Sequence, residues 1–434
     1  MRIAIVTSGF LPLIDGVTVS GWQRLKRLSQ GGHEVILFCP DYSSLEADYP
    51  HWREYTGNIL PGVKVVNLPS DSFVGLACEP NVTTGSYQIL LAELEQFQPE
   101  IIHVDEPERL YVGFWRIAGL DYAKRAKIPC IGFFRTNFLD YLADYFPLPQ
   151  PVLAVVKFLL QKLIVWVYNS YDLTLVTSKV TYPKVIELGI KNAQYQSLVG
   201  FARDRFTDNL RQPNFFETRY GLDKVDSLVK VVFLGRLYPD KGWDFTLDAL
   251  ETAQTINLGK VALIIAGDGP MRESISQRLS NLCPHLHLLG RVAPEDVPAL
   301  LSNCDFHVTT SEKETRGLTI LEAFAAGIPV LAPNSGGVVE NIQPGENGLL
   351  FRPGDRQDFT QKLQLLIENQ SLRTAMGDRA KNSVQQFSWE QAVTNLLAIW
   401  QQAIKNQSAV NSQQLTGKRQ SSTVNSISEM NINR

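Results

Sequence analysis

The stretch Thr309–Gly337, TTSEKETRGLTILEAFAAGIPVLAPNSGG, decides the fold. It opens on polar residues and then turns apolar with helical spacing at Leu318, Leu321 and Ala325. Gly327 and then Pro329 stop that helix. A short apolar run, Pro329 to Ala332, follows and is closed by Gly336 and Gly337. The order is therefore loop, helix, strand, loop. Glu314 falls in the loop and Glu322 in the helix. The amides of Arg316, Gly317, Leu318 and Thr319 lie at the helix start. Free N–H groups and the helix dipole make that place attractive to an anion, above all a phosphate.

Working outward, Lys230 to Gly235 reads as a strand that runs into Gly235-Arg-Leu-Tyr-Pro-Asp-Lys-Gly. Arg236 and Lys241 are thus two cations at a strand end, ahead of a helix over Phe245–Thr255. Placed beside Gly235 and Gly242 at the ligand edge of a sheet, they fit a pyrophosphate clamp. Val261–Ala266 and Phe306–Thr309 continue the same α/β alternation, and Gly345-Glu-Asn-Gly-Leu-Leu-Phe reads as a strand hairpin. At the N-terminus, Arg2–Thr7 is a strand, followed by a loop with Gly9, Asp15 and Gly16, a helix over Thr18–Gln30 and a strand from His33. Strand, glycine loop, helix, strand begins a doubly wound α/β domain, whose ligands bind beyond the strand ends. Gly16 is either a point of close backbone approach or a plain turn glycine. The loop is not Gly-x-Gly-x-x-Gly, so a dinucleotide is not supported.

Two further strand ends in this first unit are polar: His103, Asp105, Glu106, Glu108 and Arg109 after Ile101–Val104, and Arg135, Thr136 and Asn137 after Cys130–Phe134. Both clusters rim one cleft, with capping or surface roles equally open. Arg135 cannot act as a general base at ordinary pH. Pro151–Tyr168 is apolar on nearly every face. It reads either as a core helix or as one resting on a membrane, with aromatics near the headgroups and lysines snorkelling. The chain divides into a domain over 1–205, a second over 206–387, a helix over 388–404, and a polar tail over 405–434 that reads as disordered.

Composition bounds the rest. With 434 residues, 44% hydrophobic, there is enough chain for two cores. A net charge of -3 argues against a general nucleic-acid binder. Five scattered cysteines form no zinc or disulfide pattern and suit a reducing compartment. No signal peptide is visible, and no apolar run reaches the roughly 20 residues that span a bilayer.

The acid pair around the Gly317 helix start, its Ala-Ala-Gly-Ile-Pro-Val tail and the Gly-Arg…Lys-Gly loop resemble the retaining glycosyltransferases of family four. The resemblance covers roughly Met1 to Ile404. It implies a GT-B fold: two Rossmann-like domains facing across a cleft, with the 388–404 helix returning to the first. It implies that Arg236 and Lys241 neutralise a diphosphate beside Gly235, with Glu314 on the transferred sugar. The amides near Gly317 and Leu318 add hydrogen bonds, and Glu322 takes the ribose. Arg291 and Val292 lie in the turn that meets the base, and Gly16 closes over the phosphates. Arg135 stands where the family commonly has histidine, and Ala202 where it often has aspartate. Asp105-Glu-Pro-Glu-Arg-Leu and Arg135-Thr-Asn-Phe-Leu-Asp-Tyr-Leu are similar to digalactosyldiacylglycerol synthases. That similarity implies UDP-galactose as donor and monogalactosyldiacylglycerol, a membrane glycolipid, as acceptor. The protein would then sit peripherally on the cytoplasmic side of a membrane, in a photosynthetic organism the thylakoid or plasma membrane. A sulfoquinovosyldiacylglycerol synthase, a cell-envelope mannosyltransferase and an inactive nucleotide-sugar-binding module are the alternatives. The chain has no Asp-x-Asp pair, so transfer without a metal or other cofactor is expected.

Overall fold

Short apolar runs without alternation, such as Ile3–Val6 and Val261–Ala266, mark strands covered on both faces. Both lie inside parallel sheets, and every residue in them is buried. The structure, a computed structural model, describes residues 1–73, 76–135, 139, 149–253, 256–314 and 316–430. Its first sheet has eight strands in the order Ala193–Tyr195, Leu173–Val176, Cys130–Phe134, Ile101–Asp105, Arg2–Val6, Glu34–Pro40, Val63–Leu68 and Gly57–Leu60. All neighbours are parallel except the last pair. The second sheet has six parallel strands in the order Leu286–Gly290, Val261–Ala266, Val229–Leu234, Phe306–Val308, Val330–Pro333 and Gly348–Phe351. This is the GT-B architecture of two Rossmann-like domains.

Each sheet has one place where strand order reverses. In the first it falls between Arg2–Val6 and Ile101–Asp105, in the second between Val229–Leu234 and Phe306–Val308. Crevices beyond such points are where open α/β sheets bind ligands. Both crevices open onto the same space.

Three elements depart from expectation. The Gly345–Phe351 hairpin is a single strand, Gly348–Phe351, paired in parallel with Val330–Pro333. The approach is so close that a Cβ on Gly348 would sit 2.5 Å from the Val330 carbonyl oxygen. The hairpin of Ser70–Phe73 with Leu76–Val82 is additional. The polar tail is not irregular: one helix runs from Trp389 to Met430. Once a helix is nucleated by packing, propagation adds one bond per residue and does not need an apolar face. No proline interrupts this stretch.

Packing of that helix is supplied by Val393, Leu396 and Trp400, which join the first domain's core. Trp400 is fully buried, and its indole N–H donates to His103 Nδ1 at 3.3 Å. The helix Gln150–Asn169 is two-sided. Leu153, Ile164, Val167 and Tyr168 are buried, while Val155, Phe158 and Leu159 are each more than half exposed. Replacing Trp400 with Ala should remove about 3–5 kcal/mol of stability. Denaturant unfolding of the full chain checks this, and a loss near zero would mean the C-terminal helix does not brace the first domain.

Candidate active site

A cavity of about 530 Å³ lies between the two domains and the Trp389 end of the C-terminal helix. Its second-domain wall begins where Val229–Leu234 ends. Arg236 lies 4.8 Å from the centre of the Tyr238 ring. Lys241 Nζ is 2.6 Å from Glu314 Oε1 and 3.5 Å from Asp240 Oδ2. Burial disfavours the Lys241 ammonium, but the charges of Glu314 and Asp240 outweigh it and raise its pKa. Burial likewise works against the Glu314 carboxylate, and Lys241 wins, holding its pKa below the usual value. The pair is therefore ionised, a fixed positive centre beside a fixed negative one. Gly242 makes this possible. Its φ is +75°, and a Cβ there would lie 2.3 Å from the Thr310 carbonyl oxygen. The Lys241 loop thus rests directly on the end of strand Phe306–Val308, where Thr310 Oγ1 donates to the Lys241 carbonyl at 3.0 Å.

The helix expected in the opening stretch spans Leu318–Ala325, with Gly317 as a left-handed cap and no side chain capping its first amides. Gly317, Leu318 and Thr319 line the cavity, so the helix begins at its wall. His307 braces the helix from below. Its Nδ1 donates to the Val232 carbonyl at 3.0 Å, and its Nε2 lies 3.3 Å from Thr319 Oγ1. Burial pushes its pKa down to about 4, so it is neutral. Glu322 also lines the cavity, and burial pushes its pKa up to about 7 against the counter-pull of Arg205. Arg316 lines the cavity too, but its side chain pairs with Glu340 and packs 5.6 Å from the Phe387 ring. Arg291 and Val292 close the far end, Arg291 lying 5.2 Å from the ring of Tyr49 of the first domain.

Across the cavity, Gly16 starts the helix Gly16–Gln30, capped by Asp15. A Cβ on Gly16 would come 3.5 Å from Leu318 Cδ1, so this glycine does meet the donor-side helix. Arg135 holds that loop. It bonds Ser20 Oγ and the Gly16 carbonyl, the latter at 3.4 Å, and it lies 3.7 Å from Asp105 Oδ1.

His103 and Asp105 do not rim the cleft. Both are buried beneath it. Alternation along Ile101–Asp105 puts them on one face, and Arg24 and Trp400 cover that face. Burial pushes His103 down to about 4, while Arg24 and Arg135 overcome burial to keep Asp105 ionised. Glu106 and Arg135 do line the cavity, together with Glu108 and Arg109. Thr136 and Asn137 lie outside the described residues. Tyr238, Trp389 and Leu396 also line the cavity, and sequence reasoning did not single them out. Only their neighbourhood, the Gly235 loop and the last amphipathic helix, carried a signal.

Two facing Rossmann-like domains, with a lysine–glutamate pair and an open helix N-terminus in the cleft, define a nucleotide-sugar glycosyltransferase of GT-B type. The chain belongs to the family 4 glycosyltransferases: residues 14–196 match the family described as Glycosyltransferase Family 4, and residues 216–383 match Glycosyl transferases group 1. It is 28% identical to a GDP-mannose-dependent alpha-mannosyltransferase of Mycobacterium tuberculosis, over 92% of this chain and 95% of the relative. It is 25% identical to an alpha-monoglucosyldiacylglycerol synthase of Streptococcus pneumoniae, over 76% of this chain and 71% of the relative. Among solved structures, Anabaena HepE in complex with UDP and glucose superposes with a TM-score of 0.68 at 18% identity, covering 93% of this chain and all of that one.

Glu322 yields a pH test. An ionised carboxylate offers acceptors to both vicinal ribose hydroxyls, whereas a protonated one keeps fewer and presents its own O–H. A nucleotide whose ribose sat on Glu322 would therefore favour the ionised form, and its binding should strengthen as pH rises through about 7. Calorimetric titration of UDP from pH 5.5 to 8.5 should show this gain, and Glu322→Gln should abolish the pH dependence. A flat profile in the native chain would remove Glu322 from the ribose.

Proposed function

We propose that the protein transfers a hexosyl group, with retention of configuration, from a nucleotide sugar to the headgroup of a membrane glycolipid. UDP-galactose and monogalactosyldiacylglycerol are the first candidates. The observation that carries this reading is the charged wall of Arg236, Lys241 and Glu314 beside the open amides of the Leu318 helix, with Gly16 opposite. A diphosphate there would be held by both cations and the amides as the glycosidic bond breaks. Glu314 fixes the Lys241 ammonium and takes hydroxyls of the sugar. The acceptor attacks from the face the diphosphate leaves, and the leaving phosphate takes its proton. Closure of the domains excludes water. These fixed cations supply the charge stabilisation a metal would otherwise provide.

Lipid as acceptor is supported by the activity of the Streptococcus relative and by the surface of helix Gln150–Asn169. Val152, Val155, Phe158, Leu159 and Trp166 are exposed there at 47–60%. The helix carries Lys157 and Lys162 and no acidic residue. Its opposite side is built into the core, so it lies on a bilayer surface and does not cross it. A mannosyl donor is the second reading, favoured by the full-length match to the GDP-mannose-dependent relative.

A donor panel of UDP-galactose, UDP-glucose and GDP-mannose with monogalactosyldiacylglycerol in mixed micelles, read by product mass, decides between them. A gain of one hexose from UDP-galactose alone, undiminished by EDTA, is the expected result. Product from GDP-mannose alone would replace the galactosyl reading, and loss in EDTA would end the metal-free one.

Membrane contact has its own test. Co-sedimentation with anionic vesicles should weaken on Phe158→Ser with Leu159→Ser by roughly tenfold or more, since each side chain contributes about 1.5–3 kcal/mol when buried. Equal sedimentation of both proteins would leave the helix without a lipid role.

A further inference from the structure

Helix Thr181–Leu188 of the first domain is capped with help from the second. A helix start leaves its first amides without intrahelical partners. Ser178 serves two of them: its Oγ accepts from the Thr181 amide at 2.9 Å, and its carbonyl accepts from the Tyr182 amide at 2.9 Å. The Ser178 hydroxyl donates to Glu340 Oε1, which also accepts from the Val180 amide at 3.0 Å. The other carboxylate oxygen, Oε2, accepts from Arg316 Nη1. One side chain thus serves the first domain with one oxygen and the second domain with the other.

The second-domain end of this link is tied to the cavity wall. Glu340 closes the turn Gly336–Glu340. Within that turn the Gly337 amide donates to the Glu314 carbonyl at 2.6 Å, and just after it the Asn341 side-chain amide donates to the Arg316 carbonyl at 2.7 Å. Arg316 is followed by Gly317, the cap of helix Leu318–Ala325. Ser178 is fully buried, and the Arg316 and Glu340 side chains are 13% and 8% exposed. Charge-assisted hydrogen bonds are stronger than neutral ones, and this set lies away from the solvent that makes exposed ion pairs weak.

We propose that Glu340 is a positioning residue for donor binding: it completes the cap of a first-domain helix from the second domain, and so holds the cleft at the spacing a nucleotide sugar requires. This rests on the nucleotide-sugar reading and adds to it a residue that does not touch the donor. Neither Glu340 nor Ser178 is among the described residues that line the cavity. Opening the cleft takes both first-domain donors away from Glu340 Oε1 and part of the cap away from the helix. A chain without the link therefore spends more time open. A nucleotide that needs both domains binds only the closed fraction, and its apparent affinity falls with that fraction.

The experiment compares the native full chain with Ser178→Ala, Lys184→Gly and Glu340→Ala. UDP and GDP are titrated by calorimetry, and backbone hydrogen exchange is followed over residues 178–188. Ser178→Ala leaves the Arg316–Glu340 pair in place, and a lost serine cap is worth roughly fivefold in an equilibrium constant. Nucleotide affinity should fall by about that factor. Lys184→Gly weakens the same helix to a similar degree at an exposed position without touching the link, and it should leave nucleotide affinity unchanged. Glu340→Ala should speed exchange of the Val180 and Thr181 amides in the other domain, and adding Ser178→Ala to it should cost no further affinity. Native affinity in Ser178→Ala, equal weakening by Lys184→Gly, or unchanged exchange in Glu340→Ala would overturn the proposal. If Glu340→Ala does not fold, the contrast between Ser178→Ala and Lys184→Gly decides alone. Failure of the nucleotide-sugar reading looks different: the native chain then binds neither nucleotide, while the exchange comparison still decides whether Glu340 caps the helix.

Discussion

The contact between Lys241 and Glu314 organises the cleft. Each charge is strained by partial burial, and each is kept ionised by the other. Neither side chain could be held there if its backbone were free. The Lys241 loop is locked onto Thr310 through Gly242, where any side chain would strike the Thr310 carbonyl. The Glu314 backbone carbonyl in turn accepts from the Gly337 amide at 2.6 Å, tying it to the turn that follows strand Val330–Pro333. Three consecutive crossings of the second sheet therefore converge on one ion pair. A positive centre that cannot relax costs little reorganisation when negative charge arrives, which is the physical basis of electrostatic catalysis in such sites.

The second-domain wall of the cavity was legible because its residues lie in contiguous segments. Gly235 to Gly242 holds both cations, and Thr309 to Gly337 holds both acids and the helix start. Each segment carries its own structural punctuation, so position in the fold followed from local pattern. The first domain was harder for a specific reason. Alternation along Ile101–Asp105 groups His103 with Asp105, but nothing local says which face becomes covered. The cover is Trp400, 297 positions away in the chain. The same distance effect hid the two-sided character of helix Gln150–Asn169, apolar on nearly every face in sequence. Packing against Phe134, Val176 and Val185 takes up one side of it.

Arg135 shows how a departure from the family pattern can be absorbed. A histidine there would offer a proton-transfer group. Arginine offers a permanent cation with donors in a fixed fork. One branch lies near Asp105, already paired with Arg24, and the other reaches Ser20 and the Gly16 carbonyl. The side chain thus links a buried charge cluster to the loop that faces Leu318. It thus ties Gly16 to the buried charges, and proton transfer in the proposed chemistry falls to the leaving phosphate.

A second link joins the domains away from the cavity mouth. Arg316, next to the helix cap Gly317, pairs with Glu340. The Glu340 carboxyl also accepts from Ser178 Oγ and, at 3.0 Å, from the Val180 amide of the first domain. Arg316 and Glu340 are each almost buried, so the pair is weakly screened and neither partner is easily left alone. The backbone at the start of helix Leu318–Ala325 is therefore mechanically continuous with the start of helix Thr181–Leu188. Any opening of the cleft that moves the first domain must either break the bonds from Ser178 and Val180 or carry the Arg316 turn with it. With the Tyr49–Arg291 contact, these bonds hold the domains together at two points. Two such points limit how far the domains separate, and at this spacing Gly16 lies against Leu318 at the helix start.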